Sequence, residues 1–72
     1  MPTKDRLRAL RLEANRTQIQ IAKLLHIEGR TYQRLELEDV LPSTRHLLTL
    51  SDFYQVSVDY LLCRTDRREV NR

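Results

Sequence analysis

The sequence predicts an all-α chain of five helices, and three observations carry that prediction. Apolar residues recur at spacings of three and four along most of the 72 residues, while alternation never outlasts the short QVSV run at 55–58. Only one glycine and two prolines interrupt the chain. Ser or Thr stands near the start of several apolar stripes, where its oxygen can satisfy the free N–H groups of a first helical turn.

The first helix is expected to be capped by Thr3, with Asp5 at its positive end and Leu7, Leu10 and Ala14 facing inward. Asn15 and Arg16 interrupt the stripe. Thr17-Gln18-Ile19-Gln20 then reads as a capping box, in which Thr17 and Gln20 satisfy each other's backbone N–H groups. Ile21, Ala22 and Leu25 supply the apolar face of the second helix. His26 breaks that pattern, Ile27 is a further core candidate, and a third helix is expected from about Gly29 to Leu37, burying Tyr32 and Leu35. The loop ELEDVLP ends at Pro42, after which Ser43 caps a fourth helix with Leu47, Leu50 and Tyr54 inside. Gln55 is a link, and Ser57 caps a fifth helix with Val56 and Leu61 placed as a hydrophobic staple. Residues 1–63 form the domain, and the polar tail at 64–72 is expected to fray.

Size and charge narrow the function. A chain of 72 residues makes one domain with a modest core and no room for a separate catalytic domain. The single cysteine, Cys63, excludes an internal disulfide and favours a reducing compartment. No apolar run approaches the roughly 20 residues that span a bilayer. The N-terminus, MPTKDRLRAL, is too charged for a signal peptide, so a cytoplasmic location is expected and no membrane partner. The formal net charge is +3, unevenly spread: residues 1–34 hold eight Lys or Arg against three Asp or Glu, whereas residues 35–63 hold only Arg45 against five acids. Such asymmetry points to a basic face for an anionic partner, although charged faces also serve solubility alone.

The stretch HIEGRTYQRLE at 26–36 carries the sharper signal. About three residues, His26 to Glu28, join the second and third helices, and so tight a join forces them to cross steeply as a helix-turn-helix. The third helix then protrudes with its N-terminal half uncovered. Gly29, Arg30, Gln33 and Arg34 share its outward surface, with Thr31 beside them. Arg pairs bidentately with guanine and Gln with adenine, so this is the chemistry of a base-reading helix. The small Gly29 lets the helix end approach DNA closely. The bland alternative is that these are ordinary solvated side chains. His26, His46 and Cys63 lie on different segments without ligand spacing, so no metal and no cofactor is expected. They make no nucleophile-and-base set either, and there is no phosphate loop; no enzyme is expected.

LRALR at 7–11, TQIQIAKLLHI at 17–27, RTYQRLE at 30–36 and LPSTRHLLTLSDFYQVSVDYLL at 41–62 occur in order and at set spacing. In these the chain resembles the phage lambda repressor and Cro type of helix-turn-helix protein, the XRE family, over about residues 6–62. The resemblance implies a compact five-helix bundle of the lambda-repressor-like type that binds double-stranded operator DNA, usually as a two-fold homodimer. It places Gly29, Arg30, Thr31 and Arg34 at base-contact positions. It also places Gln18 at a phosphate-clamping position and Thr17, Ser43, Thr44 and Arg45 near the DNA backbone. It makes Arg11 and Glu36 an internal ion pair.

The chain departs from the pattern at several positions. His26 replaces the usual turn glycine, and Glu28 replaces a Ser or Thr cap. Glu38 and Asp39 replace a glycine and a basic residue near the backbone, where acids repel phosphate. Arg16 replaces an apolar residue and adds a candidate phosphate contact. Phe53 stands where the family has something small or polar and Tyr60 is expected to be exposed beside it, so the two suggest a dimer interface. Packing beneath the C-terminal tail is the alternative. Two functions follow: a DNA-binding regulator, expected to be a repressor, or a protein-interaction or antitoxin-like module whose acidic loop docks a protein partner.

Overall fold

The computed structural model describes residues 1–69. Five helices follow one another: α1 (Thr3–Glu13), α2 (Gln18–Leu24), α3 (Gly29–Leu37), α4 (Thr44–Tyr54) and α5 (Val58–Leu61). No strand occurs among the described residues, so the chain is all-α.

Most helix starts follow from their caps. Thr17 and Gln20 close the capping box of α2, with Thr17 Oγ1 accepting from Gln20 N at 3.1 Å and Gln20 Oε1 from Thr17 N at 2.8 Å. Ser43 and Ser57 accept from His46 N and Tyr60 N at the starts of α4 and α5. α1 differs. Thr3 lies inside the helix and is not its cap: Pro2 occupies that position, and its carbonyl accepts from Asp5 N and Arg6 N. Pro2 has no N–H to satisfy, so the helix can begin directly after it.

The helix ends share one device. α1, α2, α4 and α5 are each followed by a residue in the left-handed region, with φ of 56° at Asn15, 58° at His26, 56° at Gln55 and 61° at Cys63. At each end two backbone N–H groups fold back on the last turn; for α2, His26 N donates to Lys23 O and Ile27 N to Ala22 O. This is the Schellman closure, which favours glycine. Here four other residues adopt it.

The core gathers Leu7 and Leu10 of α1, Ile21, Ala22 and Leu25 from the second helix and its end, Tyr32 and Leu35 of α3, Leu47 and Leu50 of α4, and Val56, Tyr60 and Leu61. α3 packs on both α2 and α1, while α5 packs on α4 and α1. Ala14, expected inside, is exposed because α1 ends one residue before it. Tyr54 is half-buried.

The described part of the tail is anchored where fraying was expected. Arg6, itself buried, donates from Nη1 to Tyr60 O and Thr65 O, both at 3.0 Å. Ser57 N donates to Arg68 O at 2.9 Å, and Arg68 forms a two-pronged pair with Glu13 at 2.6 and 2.9 Å. Residues 70–72 lie outside the described residues. The same strap corrects the expectation for Tyr60. Its ring is buried, with the Arg6 guanidinium 4.0 Å from its centroid and that of Arg68 5.5 Å away. Tyr60 therefore offers nothing to a partner surface. Phe53 is exposed, in edge contact with Tyr54 at 5.1 Å.

Candidate nucleic-acid interface

The geometry of α3 follows from which of its residues the core takes. Tyr32, Leu35 and Glu36 are buried, so Arg30, Thr31, Gln33 and Arg34 are left in solvent. The face is polar along its length until Leu37, which is 65% exposed at the helix end. Glu28 stands at the N-cap without a side-chain hydrogen bond, so no side chain occupies the first-turn N–H groups of α3. Those groups and the positive end of the helix dipole face outward.

Gly29 begins this helix although the fold makes no demand for it. Its φ is not in the left-handed region, and an added Cβ would meet only Ile19 Cγ1 at 3.7 Å, an ordinary contact. The structure does not require glycine there. The same contact places the start of α3 beside the first turn of α2, whose Ile19 is 62% exposed.

A buried carboxylate sets the register of α3 against its neighbours. Glu36 Oε2 accepts from Arg11 Nε at 2.7 Å, and Oε1 accepts from Arg11 Nη2 at 3.0 Å and from Gln18 Nε2 at 3.3 Å. One side chain of α3 thus ties α1 and α2 together. Burial pushes the Glu36 carboxyl up, but the hydrogen bonds it accepts, that of Arg11 foremost, hold it below its ordinary value. The Arg11 guanidinium is raised by the same bond. The hydroxyls of Tyr32 and Tyr54 are buried without a hydrogen-bond partner, and burial pushes the Tyr54 hydroxyl up to about 12.

The other candidate residues fall into two places. Thr17, Ser43, Thr44 and Arg45 are exposed at the N-termini of α2 and α4, and Gln18 is half-buried beside Glu36. Arg16 is exposed with its guanidinium 5.6 Å from the Phe53 ring. It borders a cleft of about 340 Å³ with Glu13, Phe53, Tyr54 and Arg68. The sequence reading missed three features. Arg6, on which the sequence raised no expectation, is buried as the anchor of the tail. The two acids after α3 are each paired, Glu38 with Arg34 at 2.7 Å and Asp39 with Lys4 at 3.6 Å. Of these, the four-residue spacing of Arg34 and Glu38 is a signal the sequence carries, while the Lys4–Asp39 pair joins segments far apart in the chain.

Residues 7–61 match a family model described as helix-turn-helix, HTH_3. Among solved structures the chain is similar to the P22 c2 repressor protein, crystallised in complex with synthetic operator 9T in the presence of Tl+. The two are 29% identical, the match covers 86% of this chain and 94% of that one, and the TM-score is 0.78. No curated protein matches. With a family model spanning most of its length and this fold around a tight helix-turn-helix, the chain belongs to the helix-turn-helix family of the lambda-repressor and Cro (XRE) type, a family of DNA-binding proteins.

Proposed function

We propose that this chain is a transcriptional repressor that reads a palindromic double-stranded operator as a homodimer, with α3 of each copy in the major groove. The observation that carries the reading is the outer face of α3. Arg30, Thr31, Gln33 and Arg34 are exposed together on a helix whose back is locked into the core. A helix held this way presents donors in a fixed frame, which is what discrimination between base pairs needs. Gly29 supports the reading, since the fold leaves its small size unexplained. The likeness to a repressor solved on operator DNA supports it too.

Phosphate contacts fall to Thr17 and Gln18 at the start of α2, to Ser43, Thr44 and Arg45 at the start of α4, and to Arg16. Both helix starts offer backbone N–H groups and positive potential. The dimer rests on size and on Phe53. The longest extent of the molecule is 31 Å, and it carries one such helix. Half-sites in successive major grooves lie about 34 Å apart, so two copies are needed to read both.

Selection of bound sequences from a random duplex pool at about physiological salt tests the reading. A palindromic motif is expected, and Arg30→Ala should cost about 1–3 kcal/mol on that motif and relax one base position. Equal binding of the variant and the parent would remove Arg30 from the reading surface.

A second reading is favoured by the exposure of Leu37, Val40 and Leu41 around the acidic loop, at 65%, 48% and 65%. In it the domain docks a protein partner and binds DNA only weakly. A pool that yields no motif, together with a stoichiometric partner on purification, would select this reading.

A further inference from the structure

Glu38 stands one residue beyond α3, on the side of the molecule that carries the reading face. Simple electrostatics makes it a liability there, because a carboxylate repels phosphate. Its geometry says otherwise. Its backbone N–H donates to Arg34 O at 2.8 Å, and its Oε2 accepts from Arg34 Nε at 2.7 Å. Both ends of Glu38 are therefore tied to the same residue. Val40 N donates to Glu38 O at 2.8 Å, which turns the chain sharply just after α3.

The consequence lies in which edge of the Arg34 guanidinium is used. A guanidinium is planar, with five N–H donors in a rigid fork. Bonding at Nε occupies the side edge. The end edge, formed by Nη1 and Nη2, takes part in no hydrogen bond among the described residues. It carries the two donors that match O6 and N7 of a guanine. An arginine alone on a helix surface samples many rotamers and must lose that freedom when it binds. The pair is exposed, with the Arg34 and Glu38 side chains 66% and 49% accessible, so the bond at Nε biases the side chain toward this orientation before DNA arrives rather than fixing it.

We propose that Glu38 is a specificity-determining positioning residue: it orients Arg34 so that its Nη1–Nη2 edge reads guanine at one position of the bound DNA. This rests on the reading of α3 as the base-contacting helix. The repulsion expected of the acidic loop is offset in the same geometry, since Glu38 is paired with Arg34 and Asp39 with Lys4.

Two substitutions separate positioning from charge. Glu38→Ala and Glu38→Gln both remove the negative charge, so both bind non-specific DNA more tightly, to the same degree. Only glutamine keeps an oxygen that can accept from Arg34 Nε. The experiment compares the full chain, Glu38→Ala, Glu38→Gln and Arg34→Ala by selection from one random duplex pool at fixed salt. Thermal melts verify that each variant is folded. The expected result is a guanine in the parent motif that disappears in Arg34→Ala. Its preference should fall by about two- to threefold in Glu38→Ala and stay at the parent level in Glu38→Gln. If alanine and glutamine both keep the guanine at the parent level while binding all sequences more tightly, Glu38 only repels phosphate and the proposal is overturned. A parent motif unchanged by Arg34→Ala also overturns it, while leaving the rest of α3 as the reading helix. A parent chain that enriches no sequence removes the base-reading helix itself, and the proposal with it.

Discussion

Two residues of the candidate interface make opposite demands on the fold. Gly29 makes almost none, because neither its backbone angle nor its surroundings exclude a side chain. Gly29→Ala should therefore leave the melting temperature unchanged or slightly raised, since alanine favours the helix. If close approach of the backbone to DNA is the reason for glycine, the same variant loses operator affinity several-fold in a filter-binding titration. Affinity equal to the parent would leave the glycine without a role. Glu36 makes a large demand. Its carboxyl is held below the ordinary value in the folded chain, so the unfolded chain takes up a proton at higher pH than the folded one does. The stabilisation is therefore fully present above the ordinary carboxylate range, near 4.5, and is lost as pH falls through the lower folded value. Melting temperatures measured from pH 7 downward should hold until about pH 5 and then drop. Glu36→Gln should flatten that drop and lower the stability at pH 7 by about 3 kcal/mol, because it leaves the buried Arg11 charge without a charged partner.

At the scale of the helices, closure sets both stability and the shape of the interface. Four helix ends adopt the left-handed closure without glycine, at Asn15, His26, Gln55 and Cys63. Each such residue carries strain of about 1 kcal/mol relative to glycine. The His26 closure matters most for the proposed reading, since it turns α2 into α3 and so aims the outward face of α3. His26 is exposed there, so glycine can replace it without opening a cavity. His26→Gly should stabilise the chain by no more than about 0.5 kcal/mol after the added freedom of the unfolded state is counted, as measured by urea titration. A loss of stability would mean that the imidazole contributes a contact beyond the backbone. The crossing of α2 and α3 is held from inside by the Glu36 bridge to Arg11 and Gln18. α3 is thus fixed at its start by a strained turn and at its far end by a buried ion pair.

Among the described residues of the whole molecule one aromatic is exposed, Phe53, at the end of α4 beside the Arg16 cleft. If α3 reads the operator, a single copy, with a longest extent of 31 Å and one such helix among the described residues, reads one half-site, and an operator of two half-sites ties affinity to pairing of copies. If Phe53 lies in that pairing surface, Phe53→Glu should leave binding to a duplex with one half-site within about twofold. Binding to a two-half-site duplex should weaken by about tenfold or more, because the second contact is no longer intramolecular. Equal losses on both duplexes would place Phe53 outside the pairing surface. Arg68 of the described tail and Arg6 of α1 cover the Tyr60 ring, which leaves Phe53 as the exposed aromatic among the described residues.

What could be read along the chain was whatever neighbouring residues decide between themselves. Thr17 with Gln20, Ser43 and Ser57 at their caps, and the spacing of Tyr32 and Leu35 act within one turn of helix, so composition and order determine them. They determine α2 to α5 and the outward face of α3. The left-handed turn at His26 belongs here too, because a three-residue join leaves the backbone few alternatives. Tertiary structure alone decided the rest. Arg6 reaches Tyr60 across 54 positions and Arg68 reaches Glu13 across 55, so the burial of Tyr60 and the docking of the tail leave no periodic trace. The Lys4–Asp39 and Gln18–Glu36 contacts are of that kind as well. The partner of a charged side chain is set by which segments the core brings together, and the core is assembled by apolar burial that is indifferent to those charges.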